Sequence, residues 1–148
     1  MQKCTLALGC FWKPEETFKS KAGIIETEVG YAGGLSKSVT YEAVCSGNTE
    51  HAEVVRLTFD ENIITFKKII DLFFKMHDPT QKDMQYPDIG TQYRSEIFYE
   101  TDQQKQEASK ILNEFNKKFD GKIQTNISKI KNYCKAEEYH QKYIEKNR

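Results

Sequence analysis

A chain of 148 residues suits one domain with one substantial core, and 22 basic against 22 acidic residues leave a formal net charge of zero. That balance excludes a global field that would recruit nucleic acid or an anionic membrane, so recognition must be local. The longest apolar runs fall well short of a membrane span, and Met1-Gln2-Lys3-Cys4 lacks the apolar core and cleavage site of a signal peptide, so the expected compartment is the cytoplasm.

Residues 2–8 read as a buried first strand. Gly9 ends it, Cys10 follows at once, Phe11 and Trp12 come next, and Pro14, Glu15 and Glu16 open a short helix over 14–21 with Phe18 inward. Cys10 therefore sits at a strand-to-helix turn, just before a helix N-terminus. Free backbone N–H groups and the helix dipole there favour a thiolate, and Lys13 adds to that while the two glutamates oppose it. The alternative is a packed, unreactive cysteine, with Phe11 and Trp12 as core anchors.

Ile24 to Tyr31 is rich in β-formers and reads as a second strand ended by Gly33-Gly34. Thr40 to Cys45 reads as a single helical turn closed by Ser46-Gly47, leaving Tyr41 near a loop edge. His51 to Phe59 alternates as a third strand, with Ala52, Val54 and Arg56 on one face and Glu53, Val55, Leu57 and Phe59 on the other. A carboxylate on an otherwise apolar face is either at the rim in water or desolvated with a raised pKa, and the second state suits a general acid near neutral pH.

Thr65 to His77 is an amphipathic helix with Phe66, Ile69, Ile70, Phe73 and Phe74 inward. The polar stretch Thr80 to Gln92 is long for a connection without structure of its own and carries Asp88 and a dense set of hydrogen-bonding groups running into Tyr93. A strand follows at Arg94 to Tyr99, then a long helix from Asp102 to about Phe119 with Ile111, Leu112, Phe115 and Phe119 inward, broken by Asp120-Gly121. Ile123 to Ile130 reads as a strand and Ala136 to Lys146 as a last helix with Glu137, Glu138 and Lys142 on a solvated face.

Strands and helices alternate without a regular βαβ beat, so the expected fold is α/β (α+β), a mixed sheet covered by helices, in one catalytic domain over 1–148. The cysteines at 4, 10, 45 and 134 form no C-x-x-C pair. A reducing cytosol leaves them as thiols, and their spacing predicts no metal site.

Six blocks occur in order along nearly the whole chain: Gly9-Cys10-Phe11-Trp12, Gly30-Tyr31-Ala32-Gly33-Gly34, Thr40-Tyr41-Glu42-Ala43-Val44-Cys45-Ser46-Gly47, His51-Ala52-Glu53, Asp88-Ile89-Gly90-Thr91-Gln92-Tyr93-Arg94-Ser95 and Ala136-Glu137-Glu138-Tyr139-His140-Gln141. Together they resemble peptide methionine sulfoxide reductase of the A type. The resemblance implies a two-layer α/β sandwich that reduces the S epimer of methionine sulfoxide, free or in proteins, as an antioxidant repair. It implies Cys10 as nucleophile, Glu53 as acid, Tyr41 and Tyr93 as hydrogen-bond donors, and Asp88 as a supporting acid. Phe11 and Trp12 would form an apolar slot for the S-methyl group.

Such chemistry leaves Cys10 as a sulfenic acid and needs no metal, flavin or nicotinamide. Lys13 and Glu50 depart from the family's pattern, and the Cys-bearing tail of many relatives has no counterpart after the last block. Recycling then falls to Cys134, to another internal thiol, or to an outside reductant: thioredoxin, or glutathione with glutaredoxin. Cys134 reads equally as a packed thiol. Two other classes compete: a Cys-His hydrolase built on Cys10 with His51, His77 or His140, and a thiol redox sensor without turnover.

Overall fold

The computed structural model describes all of residues 1–148. The first strand, β1 (Gln2–Leu8), is buried from Cys4 onward because it lies inside the sheet, paired on one side with β3 (Ala52–Phe59) and on the other with β6 (Ser95–Tyr99). Beyond β3 comes β2 (Ile24–Ala32), edged by the two-residue β8 (Cys134–Lys135), while β7 (Asn126–Lys129) edges β6. The order is β7-β6-β1-β3-β2-β8, antiparallel throughout except for the parallel β6–β7 pair.

One face of this mixed sheet carries the main core. There Leu6, Val29, Val55, Leu57 and Phe59 meet Phe18 of α1 (Trp12–Lys19), the Phe66, Ile69, Ile70, Phe73 and Phe74 stripe of α3 (Phe66–Met76), and Ala108 and Ile111 of α4 (Asp102–Lys118). The short α2 (Tyr41–Cys45) adds Val44. The opposite face holds a small cluster of Ala7, Ala32, Ala52, Val54 and Phe98, with Ile130 and Tyr133 laid over it. The result is two layers, sheet and helices, and the alternation in β3 sorts its side chains between the two clusters as the period of two requires. Thr40, Thr65 and Thr101 cap α2, α3 and α4, each accepting a backbone N–H three residues on.

Four expectations change. The first helix begins at Trp12, so Pro14 is its third residue, where an N–H would still lack a partner within the helix. The stretch 80–92 folds into a small hairpin of β4 (Met84–Gln85) and β5 (Asp88–Ile89), followed by a 3-10 turn at Thr91–Tyr93. The strand expected over 123–130 shrinks to β7, because β6 offers only Glu96 to Tyr99 for pairing and Thr125 spends its hydroxyl on Ser95, 2.7 Å away.

The largest change is at the C-terminal end, where the continuous helix over 136–146 is absent. Residues 134–146 run instead as β8, a 3-10 turn at Glu138–His140, an extended Gln141, a left-handed Lys142 (φ 51°) and one final turn, α5 (Tyr143–Lys146). The cause lies in β2. Val29 stands past the end of β8, where its carbonyl accepts the Ala136 N–H at 3.0 Å but its buried N–H still needs a partner. Gln141 supplies it: its Oε1 accepts the Val29 N–H at 2.9 Å, and its Nε2 donates to the carbonyls of Val29 at 2.8 Å and Ala136 at 3.0 Å. Glu15 fixes the next residue, its carboxylate accepting the Lys142 N–H at 2.7 Å and the Thr27 hydroxyl at 2.8 Å. A regular helix could satisfy neither set.

Gln141→Leu should therefore strand the buried N–H of Val29, whose carbonyl keeps the Ala136 N–H, and lower stability by about 1–3 kcal/mol. Urea unfolding would read this, and a loss below about 0.5 kcal/mol, the range of an ordinary surface substitution, would contradict it.

Candidate active site

The turn after β1 carries the thiol. Gly9 has φ +96°, a conformation a side chain resists, and an added Cβ would lie 3.0 Å from Gln85 Cγ. The glycine thus lets the chain swing from β1 against the β4–β5 hairpin. Cys10 follows, half-buried, with Phe11 as the N-cap of α1. The N–H of Trp12 is aimed so as to lower the proton affinity of Cys10, and that of Phe11 so as to lower that of Glu53. The open N-terminus of α1 therefore serves both groups at once.

Glu53 is 1% exposed, and its Oε2 has no hydrogen-bond partner. Of the two states its alternation allowed, it occupies the desolvated one. Burial pushes its pKa up to about 8, against the pull of the Phe11 N–H and with a push from Asp88. It is a neutral acid at pH 7, with one oxygen uncommitted.

Burial also governs Cys10, raising its pKa to about 11, with Glu53 and Asp88 adding repulsion and the Trp12 N–H opposing. The expected lowering by the helix N-terminus is present and is outweighed. A thiol removed from water loses more ion stabilisation than one aligned N–H returns. The substrate-free protein holds Cys10 as a thiol.

Two phenols lie in the field of the same carboxyl. Tyr41 opens α2 and Tyr93 ends the 3-10 turn after β5; both are half-buried, and burial raises both pKa values, that of Tyr93 to about 12, with Glu53 a further cause in each. Each is a standing O–H donor. Asp88, on β5, acts on Cys10, Glu53 and Tyr93 through its charge. Cys10, Glu53, Tyr41, Tyr93 and Asp88, distant in sequence, thus share one electrostatic neighbourhood.

Phe11 is 1% exposed, its ring against Tyr31 and His140 at centroid distances of 5.7 and 5.1 Å. Trp12 is half-buried, stacks on Tyr143 at 3.8 Å and donates its indole N–H to His140 Nδ1 at 3.0 Å. Their partners were missed in the sequence. Glu137, expected on a solvated face, is half-buried and bridges the Tyr31 hydroxyl at 2.8 Å and the Tyr41 backbone N–H at 2.9 Å. His140 is buried among the rings of Phe11, Trp12, Tyr41 and Tyr139, which with the Trp12 hydrogen bond identifies it as the neutral tautomer; burial lowers its pKa. The signal available was the block itself, Ala136 to Gln141, which an assumed helical period concealed.

None of the three histidines is free to serve Cys10 as a base. His51 has carbonyls of Thr49 and Asn132 at its two ring nitrogens, 3.2 and 3.0 Å away. His77 lies between the Phe73 carbonyl and the Ser95 hydroxyl, both at 2.7 Å, and burial lowers its pKa to about 4. His140 is committed to Trp12. The thiols differ: Cys4 is fully buried in β1, Cys45 is exposed at the end of α2, and Cys134 is half-buried on β8 with the Val39 carbonyl 3.7 Å from its sulfur. No three His, Cys, Asp or Glu side chains are grouped as metal ligands, and no helix is long and apolar enough to cross a membrane.

Comparison with known proteins bears on this geometry. Residues 2–148 match the family model for peptide methionine sulfoxide reductase. A protein of Pelagibacter ubique named peptide methionine sulfoxide reductase MsrA is 56% identical over 146 residues, covering 99% of each chain. The crystal structure of Mxr1 from Saccharomyces cerevisiae in reduced form superposes with a TM-score of 0.95 at 42% identity, covering 99% of this chain and 85% of that one. Mxr1 in complex with Trx2 gives 0.69 at 30% identity, covering 96% and 84%.

The raised pKa of Glu53 fixes a sign. An unfolded glutamate loses its proton near about pH 4.3, whereas the folded protein holds this one to about pH 8. Between those values the folded state binds more protons, so this group's contribution to stability falls as pH rises, by at most about 1.4 kcal/mol per pH unit, and is fully unfavourable above pH 8. Glu53→Gln should gain stability relative to the unaltered protein from pH 5 to pH 8. Parallel urea midpoints across that range would contradict it.

Proposed function

The chain belongs to the peptide methionine sulfoxide reductase family, and on that premise we propose that it reduces the S epimer of methionine sulfoxide, free or in proteins, with Cys10 as nucleophile and Glu53 as acid. The observation that carries this is the buried, protonated Glu53 carboxyl with an uncommitted oxygen beside a half-buried thiol. A sulfoxide oxygen is a poor leaving atom until protonated, and a carboxyl kept neutral at pH 7 is the group that can protonate it.

The sulfoxide oxygen accepts from Glu53 and from the Tyr41 and Tyr93 hydroxyls, each such preorganised donor being worth roughly 3 kcal/mol in related chemistry. Its sulfur, polarised positive, then lies against Cys10 and offsets the burial that suppresses thiolate in the free protein. The Glu53 proton moves to the oxygen, the Cys10 sulfur attacks the substrate sulfur and gives its own proton to the Glu53 carboxylate, and collapse transfers the hydroxyl to Cys10. Methionine leaves and Cys10 remains as a sulfenic acid, oxidised by two electrons. The methyl group rests against Phe11 and Trp12, whose rings Tyr31, His140 and Tyr143 hold in position. Asp88 sustains the raised pKa values of both Cys10 and Glu53.

For recycling, the strand register favours an outside thiol. Cys134 pairs with Tyr31, and Tyr31 with Glu53, so Cys134 stands two strands from the acid, about 10 Å at about 4.8 Å per strand. The fully buried Tyr31 occupies the strand between Cys134 and the acid that faces the sulfenic oxygen. Thioredoxin, or glutathione with glutaredoxin, is the reductant class, in keeping with the Mxr1 complex with Trx2. Such a reductant is a cytoplasmic resource, and the whole activity resides in one catalytic domain over 1–148.

Dabsylated methionine S-sulfoxide with dithiothreitol should yield methionine while the R epimer does not. Cys10→Ser should abolish turnover in a folded protein, and Glu53→Gln should bind substrate but lose at least about a hundredfold in single-turnover rate. Substantial activity in Cys10→Ser would sink the mechanism. One turnover without reductant should consume one thiol and leave a dimedone adduct on Cys10; loss of two thiols, prevented by Cys134→Ser, would assign the resolving role to Cys134.

A further inference from the structure

A cavity of about 250 Å³ is walled by Gly33, Leu35, Glu50, Thr91, Arg94 and Lys131. Cys10, Tyr41, Glu53 and Tyr93 do not line it, yet three of its walls continue directly into the site. Arg94 follows Tyr93, their Cα atoms about 3.8 Å apart. Glu50 stands three residues before Glu53, and Gly33 two residues beyond Tyr31, the cross-strand partner of Glu53.

Hydrogen bonds fix the cationic walls. The Lys131 carbonyl accepts the Gly33 N–H at 2.9 Å and Asn132 Nδ2 donates to the Gly34 carbonyl at 2.8 Å, which pins Lys131 beside that loop. The Arg94 side chain, 13% exposed, donates from Nε to Glu96 at 2.7 Å and from Nη1 to the Thr91 carbonyl at 3.0 Å. Its Nη2 has no acceptor in the protein and lies 3.0 Å from where a Cβ on Gly33 would stand, so it is left to the cavity. Lys131 is exposed and makes no salt bridge. Glu96 is spent on Arg94 and on the Ser128 hydroxyl, 2.6 Å away. The remaining opposing charge is Glu50, exposed and unpaired among the walls. Two cations thus offer unused donors to a space smaller than the range of about 300–1,000 Å³ that encloses a whole small ligand. Such a space suits one acidic side chain.

Resting on the reductase reading above, we propose that this cavity is a subsite for the carboxylate of a glutamate or aspartate in the oxidised polypeptide, about two to four residues along the chain from the methionine sulfoxide. An extended chain advances about 3.3 Å per residue, which puts that side chain about 7–13 Å from the sulfoxide. The one to three residues that separate Arg94 from Tyr93 and Glu50 from Glu53 span a similar interval. The carboxylate accepts from Arg94 Nη2 and Lys131 Nζ, in charge-assisted hydrogen bonds. Glu50 opposes it by repulsion, so the strength of the preference is set by Lys131 and Glu50 in opposite directions.

The test uses short blocked peptides with a central methionine S-sulfoxide, either otherwise uncharged or with one glutamate placed at successive positions on either side, with dithiothreitol as reductant at low salt. A glutamate at the matching position should raise kcat/KM about threefold over the uncharged peptide, through KM. Lys131→Glu should lower kcat/KM for that peptide about fivefold while leaving the uncharged one within about twofold, and Glu50→Gln should raise it about twofold. Lys110→Glu, on α4 and outside the cavity, makes the same change in net charge as Lys131→Glu and should alter neither peptide. High salt should erase the preference. Glutamate peptides no better than the uncharged one in both the unaltered protein and Glu50→Gln, a preference that survives Lys131→Glu, or one that Lys110→Glu reduces equally would overturn the proposal. Failure of the unaltered protein to reduce the uncharged peptide would instead overturn the reductase reading itself.

Discussion

Keeping one carboxyl neutral inside the protein is the constraint on which the site depends. Glu53 begins β3 on the face that also carries Val55, Leu57 and Phe59, and the helices packed there exclude water from it. A charge in that position would be costly, so the proton stays to about pH 8. The same desolvation raises Cys10, Tyr41 and Tyr93, leaving a cluster of four protonated acids with one carboxyl oxygen unused. Such a cluster is a poor resting nucleophile and a good receiver for a polar S–O bond. In the proposed mechanism substrate supplies both the acceptor for the protons and the positive sulfur that a thiolate needs.

The C-terminal segment holds this arrangement without entering it. Gln141 completes the hydrogen bonding of β2 at Val29, Glu15 pins the following residue, and between β8 and that pin the chain must pass over the aromatic rings beside Cys10. Along that path Glu137 ties Tyr31 to the start of α2, and His140 accepts from Trp12 while its ring packs against Tyr41. Tyr143 then closes the stack on Trp12. Two glutamates and a glutamine, all polar by type, thus do structural work inside, each with its lone pairs engaged by backbone or hydroxyl donors, the condition under which buried polar groups are tolerated.

The strand-to-helix turn at Cys10 works differently from a simple thiolate-forming helix terminus. Its N–H groups divide between two acids, Trp12 serving Cys10 and Phe11 serving Glu53, and the half-buried setting outweighs both. The pair is coupled through charge alone: Glu53 raises the proton affinity of Cys10, and Asp88 raises that of both.

By itself the sequence determined the elements whose periodicity is local. β1, α3, α4 and the alternation of β3 follow from apolar spacing of 2 or 3.6, and the three threonine caps follow from a hydroxyl placed three residues ahead of an N–H it can reach. The order of its six motif blocks also carried the family. The tertiary structure alone decided the shape of residues 134–146, because the pull of Val29's otherwise unpaired N–H on Gln141 comes from a strand more than a hundred residues away and no local pattern encodes it. It alone decided between the two environments open to Glu53, and it reversed the sign expected for Cys10. Both are questions of how much water is excluded, and exclusion is set by what packs on top rather than by the residues adjacent in the chain.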